Sequence, residues 1–143
     1  MSGRLPIPSL VVATAAVRDE GTSYHYLPPA HSVEAPAKLI PRLVGELSNL
    51  GLPVHTGTVW TTDAPYRETA QELEKYAQQG VLAVEMQAAS LFALAAARNA
   101  LIGVVAHVSN AIDPSGEPFD KGPDADGIRI LKAICSSGLI ATR

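Results

Sequence analysis

Cysteine is almost missing from this chain of 143 residues. Cys135 stands alone, which excludes an intrachain disulfide and a metal site built from several cysteines. Charge is scarce too: Asp, Glu, Lys and Arg make up 17% of the residues, against roughly 25% in an average soluble domain. So few charges predict that part of the surface is hidden in contacts, by a partner or by another copy of the chain. A formal net charge of -3 offers no basic footprint for nucleic acid or an anionic membrane. No apolar run reaches the roughly 18 residues that a membrane helix needs. His25, His31, His55 and His107 show no metal-ligand spacing, so no metal is expected. Arg4 and the apolar run Ile7 to Ala13 faintly imitate a secretory signal, but Pro6 and Pro8 interrupt the run and a strand explains it as well. The compartment expected from these traits is the cytoplasm.

What is present is enough apolar residue, 47%, to bury the core of one domain. The organising stretch runs from Gly80 to Arg98. Val81 to Val84 is a short apolar run that suits a strand covered on both faces, and Leu91, Leu94 and Ala95 follow at helical spacing. The polar residues gather at the joint, Glu85, Met86 and Gln87. A carboxylate at such a joint costs free energy unless it has a partner or a task. In parallel α/β sheets the carboxyl ends of strands are where ligands bind.

In chain order, Leu10 to Val17 reads as a central strand, and the polar segment Arg18 to Pro29 is expected outside the core, with Arg18-Asp19-Glu20 as a solvated turn. Pro36 to Leu50 carries an apolar stripe of Leu39, Ile40, Leu43, Val44, Leu47 and Leu50, and Gly51 suits its stop. Pro41 argues that the helix proper begins near residue 40. Val54 to Thr62 reads as a strand, Asp63 to Arg67 as a loop, and Glu68 to Gln79 as a polar surface helix. Leu101 to Val108 is a further strand ending in Ser109-Asn110, Asp113 to Pro123 is a loop of breakers, and Ile128, Leu131, Ile134 and Leu139 mark a closing helix. Four strands alternating with four helices predict a mainly parallel or mixed central sheet flanked by helices, in a single α/β domain over 1–143.

Four segments carry a resemblance. Val-Val-Ala-Thr-Ala-Ala-Val-Arg-Asp-Glu-Gly-Thr-Ser at 11–23, Thr-Thr-Asp-Ala-Pro-Tyr at 61–66, Val-Glu-Met-Gln-Ala-Ala at 84–89 and Val-Ser-Asn at 108–110 resemble, in order and spacing, the nucleoside phosphorylase family of uridine phosphorylases and small-subunit purine nucleoside phosphorylases. The resemblance implies phosphorolytic cleavage of an N-glycosidic bond to base and ribose 1-phosphate, with nucleoside and phosphate as partners and no cofactor beyond the phosphate co-substrate. It implies ribose contacts at Glu85, Met86 and Gln87, and base contacts at Asp63, Tyr66, Arg67 and Asn110. No residue is singled out as the catalytic group.

The sequence departs from the family in three places. Gln87 stands where the family has a second Glu, removing a charge beside the cationic sugar of the transition state. Asn110 stands where purine-acting members have Asp, and an amide cannot act as a general acid, which argues against purine chemistry. The family also carries roughly a hundred residues, the size of a small domain, ahead of the strand that starts here at Leu10, and they supply a Gly-bearing loop and arginines for phosphate. Arg4, Arg18 and Arg42 match none of those motifs. The sequence therefore reads as the carboxyl-terminal part of a phosphorylase without the amino-terminal strands, expected to form a homo-oligomer or to associate with the missing segment. The alternative is a non-catalytic remnant that binds a nucleoside or another subunit. Plainer roles stand beside these: Glu85 as the cap of the following helix, Met86 as core filler, and Trp60 and Tyr66 as packing anchors.

Overall fold

The structure, a computed structural model, describes residues 5–111 and 124–139. Arg4 and the expected loop Asp113 to Pro123 lie outside the described residues. The elements run β1 (Ser9–Asp19), β2 (Ser32–Glu34), α1 (Ile40–Leu47), β3 (Val54–Thr62), α2 (Ala70–Gln78), β4 (Ala83–Glu85), α3 (Ala88–Arg98), β5 (Val105–Val108) and α4 (Asp124–Ser136). Among the described residues no helix is long and apolar enough to cross a membrane.

β1 is the axis of the sheet. One edge pairs in parallel with β3 along almost its whole length, and β3 pairs in parallel with β4. The other edge is shared: β5 runs antiparallel beside Ser9 to Val12, and β2 runs antiparallel beside Ala15 to Val17. The sheet is thus mixed, and β2 was not expected at all. Alternation of apolar residues reads the same in both chain directions, so it cannot tell parallel from antiparallel pairing. β4 and β5 come close to each other although β1 and β3 lie between them. With neighbouring strands about 4.8 Å apart, that approach requires the sheet to curl.

A bulge between Ala13 and Ala15 keeps the two faces of β1 in step with β3. Val11, Ala13 and Ala16 face α3, whose Ala88, Ala89 and Phe92 pack on them with Val59. Alanines on both sides let helix and sheet approach closely around the Phe92 ring. Leu10 and Val12 face the other way, against Leu39, Leu43, Leu47 and Ile130. Pro41 sits in the first turn of α1, which begins at Ile40 as its ring demands, and Gly51 ends the run in the left-handed conformation, φ 75°.

Three expectations are corrected. The strand ahead of Glu85 is three residues long and half-buried instead of covered on both faces. The expected strand at Leu101 begins only at Val105, and Leu101 is 62% exposed. Most of Arg18 to Pro29 is exposed, as expected, but the turn Arg18-Asp19-Glu20 is not simply solvated: Arg18, Glu20 and Ser23 are buried. They can be buried because they are satisfied. Arg18 donates from Nε to Ser23 Oγ (2.8 Å), from Nη1 to the Pro28 carbonyl (2.7 Å) and from Nη2 to the Leu27 carbonyl (3.2 Å), and its guanidinium lies 4.3 Å from the Tyr24 ring centre. Glu20 accepts from the Ser23 amide.

Replacing Arg18 by Met strands two carbonyls and a hydroxyl while keeping most of the volume. We predict a loss of about 3 kcal/mol of stability, measured by urea unfolding, and faster proteolysis within residues 20–29. A loss within about 0.5 kcal/mol would show that the guanidinium does not hold this segment.

Candidate functional site

Adjacent register positions bring Arg18, Thr61 and Glu85 side by side near the carboxyl ends of β1, β3 and β4. Thr61 donates its hydroxyl proton to Glu85 Oε1 and accepts the Ala89 amide at 2.9 Å. Glu85 Oε2 accepts the amides of Gln87 at 2.6 Å and Ala88 at 2.8 Å. Amide groups at the start of a helix have no partner within it, and they carry the positive end of the helix dipole. Glu85 supplies both acceptor and negative charge. The capping role considered for it is therefore the one its bonds display.

With Glu85 folded back onto the turn, Met86 and Gln87 point outward. Met86 is 53% exposed, so it is not core filler, and Gln87 is exposed as well. A thioether and an amide side by side at a helix start make an amphipathic contact surface, with an apolar wall next to a group that both donates and accepts.

The loop after β3 serves the opposite face of the sheet. Asp63 accepts the Gly21 amide at 3.0 Å, tying this loop to the one after β1. Asp19 accepts the indole N–H of Trp60 at 3.0 Å. Trp60 is a packing anchor: it is buried, and its ring centre lies 4.6 Å from that of Tyr76. A cavity of about 160 Å³ here is lined by Asp19, Trp60, Thr62, Asp63, Ala64, Arg67, Glu68 and Glu72. Tyr66 does not line it and is 99% exposed. Of the residues expected at a base, Asp63 and Arg67 share this cavity.

Asn110, expected at the base, follows β5. β5 is antiparallel to β1, and its last residue, Val108, pairs with Ser9 at the start of β1. Glu85 aligns through Thr61 with Arg18, near the end of β1. Register therefore does not line the two up, and only the curl of the sheet brings β4 and β5 together. Ser109 Oγ lies 3.4 Å from Asn110 Oδ1. Among the described residues no group of three His, Cys, Asp or Glu is placed to hold a metal.

Sequence reasoning missed Thr61 and the buried Arg18 cradle. The double Thr before Asp63 was a visible signal for the first, since β-branched hydroxyls at a strand end are common partners for a nearby helix start.

The carboxylates around the cavity differ. Partial burial, helped by nearby Glu72, raises the Glu68 pKa above its ordinary 4.5. Hydrogen bonds from the Thr69 hydroxyl and amide lower that of Glu72, which completes a capping box at the start of α2. Burial, with Asp19 and Glu72 nearby, raises the Tyr76 phenol.

A model of the phosphorylase superfamily matches residues 1–133. A guanosine phosphorylase of Halorubrum lacusprofundi is 32% identical over 126 residues, which span 85% of this chain and 49% of that protein. A DeoD-type purine nucleoside phosphorylase of Colwellia psychrerythraea is 31% identical over 96 residues, 64% of this chain and 40% of its own length. Among solved structures, the P. knowlesi homologue of the P. falciparum PNP superposes with a TM-score of 0.77 at 20% identity, covering 94% of this chain and 54% of that one. Uridine phosphorylase from Vibrio fischeri gives 0.64 at 23% identity, covering 93% and 52%. The chain spans about half the length of the relatives it matches.

A carboxyl whose pKa rises on folding binds its proton more tightly in the folded state, so Glu68 penalises folding increasingly as the pH climbs from its ordinary 4.5 through the raised value. Glu68→Gln removes that penalty. Its melting temperature should exceed that of the native chain at about pH 7.5 and match it at about pH 3.5. Equal shifts at the two pH values would contradict the assigned burial effect.

Proposed function

Because this chain belongs to the phosphorylase superfamily, we propose that it forms the nucleoside-holding part of a nucleoside phosphorylase, with Met86 and Gln87 meeting the ribose and the loop of Asp63, Tyr66 and Arg67, together with Asn110, meeting the base. The observation that carries this reading is the superfamily match across the same residues that build the Glu85–Gln87 turn, whose capped start leaves Met86 and Gln87 facing solvent. In the reaction a phosphate oxygen bonds to C1′ of the sugar as the N-glycosidic bond breaks. The base leaves with the bonding electrons and takes up a proton, and the sugar departs as its 1-phosphate. Positive charge builds on the sugar as the bond breaks. Glu85, whose Oε2 accepts the Gln87 amide at 2.6 Å, favours that charge from behind the turn, while the Gln87 side chain contributes only a dipole.

The two relatives named by sequence are a guanosine phosphorylase and a purine nucleoside phosphorylase, so a purine nucleoside is the proposed substrate class, against the direction that Asn110 suggests. An amide at that place can hydrogen-bond a purine but cannot protonate it. Phosphate is the co-substrate, and no other cofactor is invoked. The working compartment is the cytoplasm. We assign nucleoside holding to these 143 residues and phosphate holding to the segment that the family places ahead of β1. A non-catalytic remnant is the second reading, favoured by Gln87 and by the use of Glu85 as a cap.

The test mixes the chain with guanosine, inosine or uridine and phosphate. We expect binding seen as shifts of the Met86 and Gln87 amide resonances, base release far below the order of 1 per second usual for enzymes, and roughly tenfold tighter binding in Gln87→Glu, whose charged acceptor strengthens bonds to ribose hydroxyls. Turnover at enzyme rates would refute the split between binding and catalysis. No binding by either form would leave the remnant reading.

The same proposal includes assembly, as a homo-oligomer or with the segment that the family places ahead of β1. The half-buried β4 and β5 and the exposed Leu101, Ile128 and Leu131 support it. Sedimentation at micromolar concentration, roughly where exposed apolar surface drives association, should show species heavier than 15.0 kDa. A single stable 15.0 kDa species would remove the assembly from the proposal.

A further inference from the structure

Thr61 is 0% exposed, yet its hydroxyl joins three separate parts of the fold. It sits on β3, donates to Glu85 at the end of β4 and accepts from Ala89 in the first turn of α3. A hydroxyl has one proton to give and two lone pairs. Here the proton goes to Glu85 Oε1 and one lone pair to the Ala89 amide, so the group is committed in both directions. Its β-branched side chain has few rotamers, and the strand that carries it has a neighbouring strand on each side at this position, with Arg18 and Glu85 opposite it.

The carboxylate is held just as fully. Glu85 Oε2 takes two amides, those of Gln87 and Ala88, and Oε1 takes the Thr61 proton. The two amide bonds fix the carboxylate relative to its own turn, and the Thr61 hydroxyl is the side-chain bond that ties it to the neighbouring strand. The backbone of Glu85 is already paired with β3 and α3 already packs on β1, so this hydroxyl sets the fine placement of the turn from which Met86 and Gln87 emerge.

We infer that Thr61 is a positioning residue for the sugar site, acting through Glu85 and the start of α3, so that Met86 and Gln87 rather than Glu85 make the direct contacts with ribose. The inference rests on the ribose assignment proposed above. It extends to residues that neither touch the ligand nor line a cavity: the turn is rigid because a buried hydroxyl and a carboxylate satisfy three amides in succession, Gln87, Ala88 and Ala89.

Thr61→Val keeps the shape and removes the hydroxyl, leaving the buried Ala89 amide and Glu85 Oε1 without it. Thr61→Ser keeps the hydroxyl. Amide hydrogen exchange should quicken at least about tenfold at Ala88 and Ala89 in Thr61→Val, stay within about threefold in Thr61→Ser, and be unchanged at Val11 and Val12 in both, because opening is local. Binding is compared for guanosine and 2′,3′-dideoxyguanosine. The native chain should prefer guanosine through its hydroxyls, Thr61→Val should lose about tenfold of that preference, and Thr61→Ser should keep it. A general loss of stability would weaken both ligands alike and leave the preference intact, and that result overturns the inference. So does native exchange at Ala88 and Ala89 in Thr61→Val. If the native chain binds neither nucleoside, the ribose assignment falls, and the exchange data still decide whether Thr61 sets the turn. Should Thr61→Val not fold, the native protein decides: a slowly exchanging Thr61 hydroxyl proton with a nuclear Overhauser contact to the Ala89 amide supports the inference, and its absence overturns it.

Discussion

The backbone of β1 is paired along one edge by β3 and along the other by β5 and then β2, while its side chains are covered on both faces by helices. A strand used on all four sides can shift only if every neighbour shifts with it, since a one-residue slip would exchange its two faces. The bulge between Ala13 and Ala15 meets that constraint. It absorbs one residue and leaves Val11, Ala13 and Ala16 together on the α3 side and Leu10 and Val12 together on the side of α1 and α4.

Polar residues at the end of β1 inherit this rigidity. Arg18 and Asp19 are neighbours in sequence but belong to opposite faces, so one organises residues 20–29 and the other receives the Trp60 indole N–H. Asp63 then ties the loops after β1 and β3 together. Buried charge is tolerable here because each such group meets fixed donors or acceptors. The same ordering separates the two candidate surfaces: the Glu85–Gln87 turn stands on the α3 side, and the cavity with Asp63 and Arg67 stands on the α2 side.

The rim of the sheet is less finished than its axis. β4 is short and half-buried, β5 is half-buried throughout, and Leu101 stands exposed ahead of it. An apolar cavity of about 190 Å³ lies between Leu39, Leu43, Leu101, Gly103, Ile134 and Leu139. Edges and apolar surfaces of this kind favour association. They also agree with the shortage of charge in the composition, since a chain with few Lys, Glu, Arg and Asp has little with which to cover them.

Local rules decided much of this molecule from the sequence alone. Pro41 and Gly51 bound α1 because a proline ring fits only the first turn and a left-handed stop suits glycine. The apolar runs of β1 and β3 and the strand-to-helix joint at Glu85 were legible for the same reason, and the four short segments carried the family. Strand direction was not legible, because alternation has no polarity, so which strands of the mixed sheet run antiparallel came only from the structure. β2 was hidden in a three-residue stretch, too short to show a pattern, that is held by pairing with β1 and by Val33 in the core. The burial of Arg18 and Glu20 and the outward turn of Met86 were hidden too, since polarity and apolarity predict exposure only on average. Those features were decided by the tertiary structure, where a charge is buried once carbonyls, hydroxyls and amides from distant segments converge on it, and a side chain is exposed once its neighbour's carboxylate has taken the inward place.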